Sequence, residues 1–174
     1  MTKQPMRQTS CRGLTLIELM VAIAVLAILA MIAAPSFNNQ LASSRVESAA
    51  SELKAALDFA RSEAIKQSLS VSACPSTNGT SCVASSTNWG GGWLIWTDVS
   101  NEGVLDSGEA VIQTFGAVNR NVTMAGPASV ISFKSLGQVA VGRTFSLSHS
   151  NSSEARLVCL SSTGSSKIVK AASC

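Results

Sequence analysis

One carboxylate, Glu18, interrupts an otherwise apolar run over residues 14–34. As a helix that run would be about 31 Å long, close to the hydrocarbon thickness of a bilayer. A carboxylate inside such a segment is costly unless it has a partner or a task. A cut between Gly13 and Leu14 would supply the partner: the new α-amine would lie just before Glu18, and copies staggered along an axis would pair amine with carboxylate. Before the cut, Lys3, Arg7 and Arg12 hold the leader on the cytoplasmic side by the positive-inside tendency, so the chain after Pro35 is expected on the other side. A secretory signal peptide is cleaved after its apolar stretch, whereas here the cut precedes it.

The remaining reactive side chains have simpler readings. Cys11 lies in the leader, while Cys74, Cys82, Cys159 and Cys174 form an even set in a region expected to be oxidising. Four cysteines allow three pairings, and the turn-rich intervening segments favour Cys74 with Cys82 and Cys159 with Cys174. No Cys-x-x-Cys pair is present and the one histidine, His149, sits among Ser and Asn, so no metal site is expected. Asp98, Asn101, Asp106 and Glu109 carry oxygens a hard cation accepts, but not at EF-hand spacing, and are read as turn-capping residues. Gly90, Gly91 and Gly92 are not followed by the Gly-Lys-Ser/Thr of a phosphate loop. Serines are plentiful, yet nothing supplies the base and orienting group of a nucleophilic site, so neither catalysis nor a cofactor is expected.

The elements that must carry these residues follow from periodicity. Over residues 38–67, Val46, Ala50, Leu53, Leu57, Ala60 and Ala64 recur at helical spacing. Charged residues lie opposite, and Asp58, Arg61 and Glu63 are expected to face solvent. From residue 69 onward, short runs of Val, Ile, Thr and aromatics separated by Gly, Asn and Ser predict an antiparallel sheet. Its strands are expected at 69–73, 92–97, 110–115, 121–124, 129–134, 143–148, 155–160 and 166–170. In 92–97 both alternating faces are apolar, as for a strand sandwiched between the helix and a second layer. The hydrophilic stretch 76–88 is read as an exposed, disulfide-tied loop.

The stretch Arg12-Gly13-Leu14-Thr15-Leu16-Ile17-Glu18-Leu19 resembles the class III signal of the type IV pilin superfamily. Gly13 precedes the scissile bond, Glu18 is the fifth mature residue, and Pro35 stands at mature position 22 (35 minus 13), where many members have a helix-bending proline. Leu14 stands where Phe is commoner. A second motif runs from Trp89-Gly90-Gly91-Gly92-Trp93 to Asp98 and on through Asn101 and Asp106 to Glu109. It is similar to the signature of the H-type pseudopilins and the FimT and FimU minor pilins. The resemblance covers most of the chain, the C-terminal third only in outline.

The resemblance implies an α+β fold in which a long N-terminal helix, membrane-spanning first and amphipathic later, packs on an antiparallel β-rich head. The expected divisions are a cytoplasmic leader (1–13, removed), a transmembrane assembly helix (14–34), an amphipathic continuation (35–67) and a periplasmic head (68–174). The implied function is that of a minor pilin acting with other minor pilins in assembly and initiation of a type IV pilus. The alternative is an H-type minor pseudopilin of a type II secretion system. Prepilin peptidase would cut after Gly13 and methylate the amine of Leu14, with Glu18 and Pro35 serving assembly. The implied partners are that peptidase, other major and minor pilins or pseudopilins, and the bacterial inner membrane, which the subunit spans once before joining the fibre.

A further alternative is DNA binding, since FimT-type minor pilins of some bacteria bind DNA through arginines near a C-terminal Gly-Arg-rich motif. The matching region Ser162-Thr163-Gly164-Ser165-Ser166-Lys167 keeps Gly164 but not the arginines. Arg143, Arg156, Lys167 and Lys170 remain as candidates for a small basic patch. Of 13 Lys and Arg three lie in the leader, leaving 10 against 10 acidic residues, so the mature chain carries no excess charge to attract nucleic acid.

Overall fold

The computed structural model describes residue 13 and residues 15–128, 130–150, 152–170 and 173–174, with backbone alone at 31–36. The chain forms two compact units, Met1–Asn38 and Asn39–Cys174. Helix α1 (Leu16–Gln67) opens the fold and is followed by eight strands: β1 (Ser70–Pro75), β2 (Trp93–Asp98), β3 (Val111–Phe115), β4 (Val122–Ala125), β5 (Ile131–Phe133), β6 (Arg143–His149), β7 (Ala155–Leu160) and β8 (Ser166–Val169). The α+β class and every expected strand are present, each within a few residues of its sequence-based bounds.

The helix begins with a cap. The amide of Glu18 donates to Thr15 Oγ1 at 3.3 Å, satisfying one of the amides that a helix start leaves unpaired. Ser68, with φ 56°, ends it by stepping into the left-handed region, and its amide donates to the Ile65 carbonyl at 3.3 Å. The strand β1 starts two residues later.

Within the second unit the expected apolar stripe is buried in full, and Ala42, Ala49 and Ala56 join it. The strands form two antiparallel four-stranded sheets, ordered β3-β2-β1-β5 and β4-β6-β7-β8, rather than one. Both sheets turn apolar side chains toward the stripe. Val71, Trp93, Ile95 and Phe133 come from the first; Met124, Phe145, Leu147 and Val158 come from the second, all in one cluster with Val46, Leu53 and Leu57. Alternation along β6, where Phe145, Leu147 and His149 are buried and the residues between are exposed, is the signature of a sheet wet on one face.

Strand β2 is buried at all six positions. Trp93 and Ile95 face the helix, while Leu94 and Trp96 are covered by Cys74, Cys82, Leu105 and Val130. The second layer is therefore the disulfide loop and the connection after Asp98. The segment 88–92 joins the two sheets: Asn88 bridges Ala125, and the Trp89 and Gly90 amides donate to the Met124 carbonyl at 3.0 and 3.1 Å. The Trp89 indole donates to the Pro127 carbonyl at 3.0 Å, and its ring meets Phe145 edge-on at 5.0 Å.

Candidate assembly site

In the first unit the helix carries its apolar side chains outward on every side. Leu16, Ile17, Leu19, Met20, Val21, Ile23, Val25, Leu26, Ile28 and Leu29 are all at least half exposed. Glu18 is exposed too, and its carboxylate makes no hydrogen bond or ion pair among the described residues. It occupies the first helical turn, where a negative charge is favoured by the helix dipole. The spacing Thr15-x-x-Glu18 is that of a capping box, a local signal the sequence carried beside the assembly reading. Gly13 is exposed with open space around its Cα. Leu14 lies outside the described residues, as does the side chain of Pro35, whose backbone is part of α1. Among the described residues no helix is long and apolar enough to cross a membrane. The side chains described in the expected span are those of residues 15–30, whose length is about 24 Å.

In the head the acidic turn after β2 is organised by Asp98, which is 1% exposed. Its Oδ2 accepts from Ser72 Oγ at 2.8 Å and from the Gly103 amide at 3.0 Å; Oδ1 accepts from the Glu102 amide at 3.2 Å. Glu109 closes the same loop by accepting from the amides of Ser100 and Asp106, each at 3.2 Å. Desolvation works against the Glu109 carboxylate, but the hydrogen bonds from the backbone amides, Asp106 first and then Ser100, outweigh it and hold its pKa below the usual carboxylate range. Asp98 and Glu109 thus take the turn-capping role expected of them, whereas the Asn101 side-chain oxygen accepts from Ser70 Oγ at 2.6 Å and from Lys134 Nζ. Two disulfides tie the head, Cys74–Cys82 and Cys159–Cys174, and the first closes the N-terminal part of the largely exposed loop of residues 76–88.

The four candidate nucleic-acid contacts do not form one patch. Arg156 is 4% exposed: its Nε donates to Glu47 Oε2 at 2.7 Å, and its Nη1 to Glu154 Oε2 at 3.0 Å and to the Ala155 carbonyl at 2.8 Å. The expectation that Arg156 faces solvent is overturned, because a helix carboxylate from the other end of the chain draws it inward. Burial alone would favour its neutral form, yet the bonds from Glu47 and Glu154 raise its pKa. Glu154 is correspondingly lowered, chiefly by the hydrogen bond from Arg156. Arg143 pairs with Leu160 across β6 and β7, and Lys167 pairs with Cys159, so the two fall on opposite faces of the second sheet. Lys167 and Lys170 are exposed.

The expected solvent-facing charges of the helix are half-buried instead. Asp58 accepts from Lys54 Nζ and Ser166 Oγ, each at 2.5 Å, and Glu63 from Lys66 at 3.1 Å and Gln67 at 2.8 Å. Glu63 has its pKa lowered, first by the Gln67 hydrogen bond and then by Lys66. Arg61 lies under the turns at residues 134–138 and 161–165. The charge pattern along the helix gave no sign of this, because those turns come from more than 70 residues downstream.

A family profile described as Type II transport protein GspH matches residues 49–164, and one described as Prokaryotic N-terminal methylation motif matches residues 8–34. The chain belongs to the GspH family. The family match takes in the helix stripe from Ala50 onward, strands β1 to β7 and the Asp98 turn, and stops short of β8 and Cys174. Among curated proteins none matches the chain. Of solved structures, the type IV minor pilin FimU of Pseudomonas aeruginosa is similar at 25% identity in two crystal forms. One has TM-score 0.57 over 72% of this chain and 89% of that one; the other has 0.53 over 71% and 91%. The minor pseudopilin EpsH from the Type 2 Secretion System of Vibrio cholerae shares the fold, with TM-score 0.51, 12% identity, and coverage of 72% of this chain and 96% of that one.

Proposed function

We propose that this GspH-family chain is a minor pilin that enters a type IV pilus and acts with other minor pilins in assembly and initiation. The observation that carries the reading is the apolar helix start, whose described side chains are exposed, with Glu18 as the one charge in residues 14–34 and without a partner among the described residues. Such a surface needs lipid or other helices around it. Residues 14–34 span the inner membrane once, residues 35–67 continue into the head, and residues 68–174 lie in the periplasm until the subunit joins the fibre. Prepilin peptidase removes residues 1–13 after Gly13 and methylates the amine of Leu14. Glu18 then pairs with the amine of a neighbouring subunit, and Pro35 bends the helix where it leaves the bilayer. Apolar helices gain little in leaving lipid for one another, so the pair sets register more than it adds stability.

The second reading, an H-type minor pseudopilin of a type II secretion system, is favoured by the family match over residues 49–164. Both readings share processing and insertion. Sheared filaments and membranes from a host carrying the full chain provide the test. Mass spectrometry is expected to find a mature chain starting at methylated Leu14, and Glu18→Ala is expected to leave the processed subunit in the membrane and out of the filament. A functional filament containing the chain with its leader intact, or Glu18→Ala incorporated at the normal level, overturns the mechanism. Loss of exoprotein export with normal pili on deletion assigns the second reading.

A further inference from the structure

Arg61 has lost the partner its position should give it. Asp58, one helical turn earlier, has one carboxylate oxygen on Lys54 Nζ and the other on Ser166 Oγ. The guanidinium of Arg61 makes no hydrogen bond or ion pair among the described residues, and its Nε is buried without an acceptor. A buried unpaired donor costs free energy, so its retention calls for an explanation.

Two glycines hold Arg61 in place. Gly137 and Gly164 have φ of +75° and +77° in turns tied together by the Val139 amide donating to the Ser162 carbonyl at 3.0 Å. A Cβ on Gly137 would come within 2.9 Å of Arg61 Cγ. One on Gly164 would stand 1.9 Å from the Gly137 carbonyl oxygen and 3.2 Å from Arg61 Nε. The absence of a side chain at both positions lets the two turns close over the stem of the arginine. Arg61 lines a cleft of about 380 Å³ together with Lys54, Asp58, Ser62, Ile65 and Ser165.

We propose that this cleft receives a carboxylate side chain from a neighbouring subunit of the fibre, with Arg61 as its receptor; the inference rests on the filament reading above. A planar guanidinium with fixed stem suits a two-oxygen acceptor, and Ser165 lines the same cleft, whereas the Ser62 hydroxyl is already donated to the Phe59 carbonyl at 2.8 Å. Two cations against one carboxylate leave the cleft a single excess positive charge, which one carboxylate neutralises. Asp58 on the same wall repels a polyanion such as nucleic acid. Gly164, the residue kept from the C-terminal motif, thereby positions a cation on the helix.

The test uses filaments from cells carrying the full chain. Arg61→Gln is expected to lower its share of the filament about tenfold relative to the wild-type chain, with the membrane pool and the melting temperature of residues 39–174 unchanged. That unit contains every residue of both core clusters and so can be studied by itself. Arg61→Lys keeps the charge and adds an amine that carbodiimide can couple to a carboxylate. It is expected to enter the filament and give a zero-length cross-link from position 61 to an Asp or Glu of another subunit. Incorporation of Arg61→Gln within twofold of wild type overturns the proposal, as does a filament-borne Arg61→Lys chain that cross-links only within itself. So does a duplex-DNA mobility shift by residues 39–174 that Arg61→Gln abolishes. If the wild-type chain is itself missing from filaments and pseudopili, the filament reading fails instead. If Arg61→Gln melts early, the cross-link decides alone.

Discussion

Arg156 makes a stability experiment with an asymmetric outcome. Its guanidinium is 4% exposed, while the Glu47 side chain that binds it is 49% exposed and that of Glu154 is 34% exposed. Replacing Glu47 by Gln leaves the buried cation with a single carboxylate. Because the lost charge stood half in water, the cost should be about 1–2 kcal/mol rather than the roughly 3–5 expected when a wholly buried pair loses one member. Replacing Arg156 by Met keeps much of the volume and frees two carboxylates that solvent can reach, so the cost should stay below about 1 kcal/mol. The double variant should then cost no more than Arg156→Met alone, giving a coupling of about 1–2 kcal/mol. Urea denaturation of residues 39–174 at neutral pH measures all four corners, and the Glu47→Gln melting point should fall by about 3–6 °C. A Glu47→Gln cost under about 0.3 kcal/mol, or costs that simply add, would refute the claim that the helix and the second sheet are joined through this cation.

Three further outcomes are expected. Opening Cys159–Cys174, which closes 15 residues, by Cys174→Ser should cost about 3 kcal/mol, and opening Cys74–Cys82, which closes 8, by Cys82→Ser about 2.5, as read from urea midpoints under non-reducing conditions. The lowered pKa of Glu154 means that its contribution is present above the unfolded carboxylate range near pH ~4.3 and is lost as pH falls through the folded value. Arg156→Met should therefore flatten the acid limb of a stability-versus-pH curve taken between about pH 3 and 7. Gly164→Ala should cost at least about 2 kcal/mol, since the new methyl meets the Gly137 carbonyl from a left-handed backbone, and heat denaturation of residues 39–174 reads it.

What was legible in the chain was what neighbours in sequence decide. The spacing of Val46, Leu53 and Leu57 announces a buried helix face, and runs such as Arg143 to Ser148 announce a half-buried strand, because both patterns repeat within a few residues. The division into two sheets was hidden, since alternation along β4 or β1 is the same whichever sheet a strand joins. Arg156 looked like surface for a similar reason: its partner Glu47 precedes it by 109 residues, and no local pattern links them. Asp58 and Arg61 read as solvent-facing charges from the sequence, because nothing local announces that Ser166, from β8, binds the Asp58 carboxylate. The N-terminal site was read from Gly13 and Glu18 as chemistry, while the capping geometry of Thr15 needed the helix itself.

The face that α1 lays on the two sheets is lined by Ala42, Ala49, Ala50, Ala56, Ala60 and Ala64. Between Val46, Leu53 and Leu57 these small residues give the large side chains of both sheets room to pack, and close packing leaves little slack there. Evolutionary drift is accordingly one-sided there. A larger residue at Ala50 or Ala60, each fully enclosed, would wedge the rod away from both β layers at once, at about 1–3 kcal/mol per intrusion. Relatives are expected to vary freely in loop length and tip composition while keeping these six sites small.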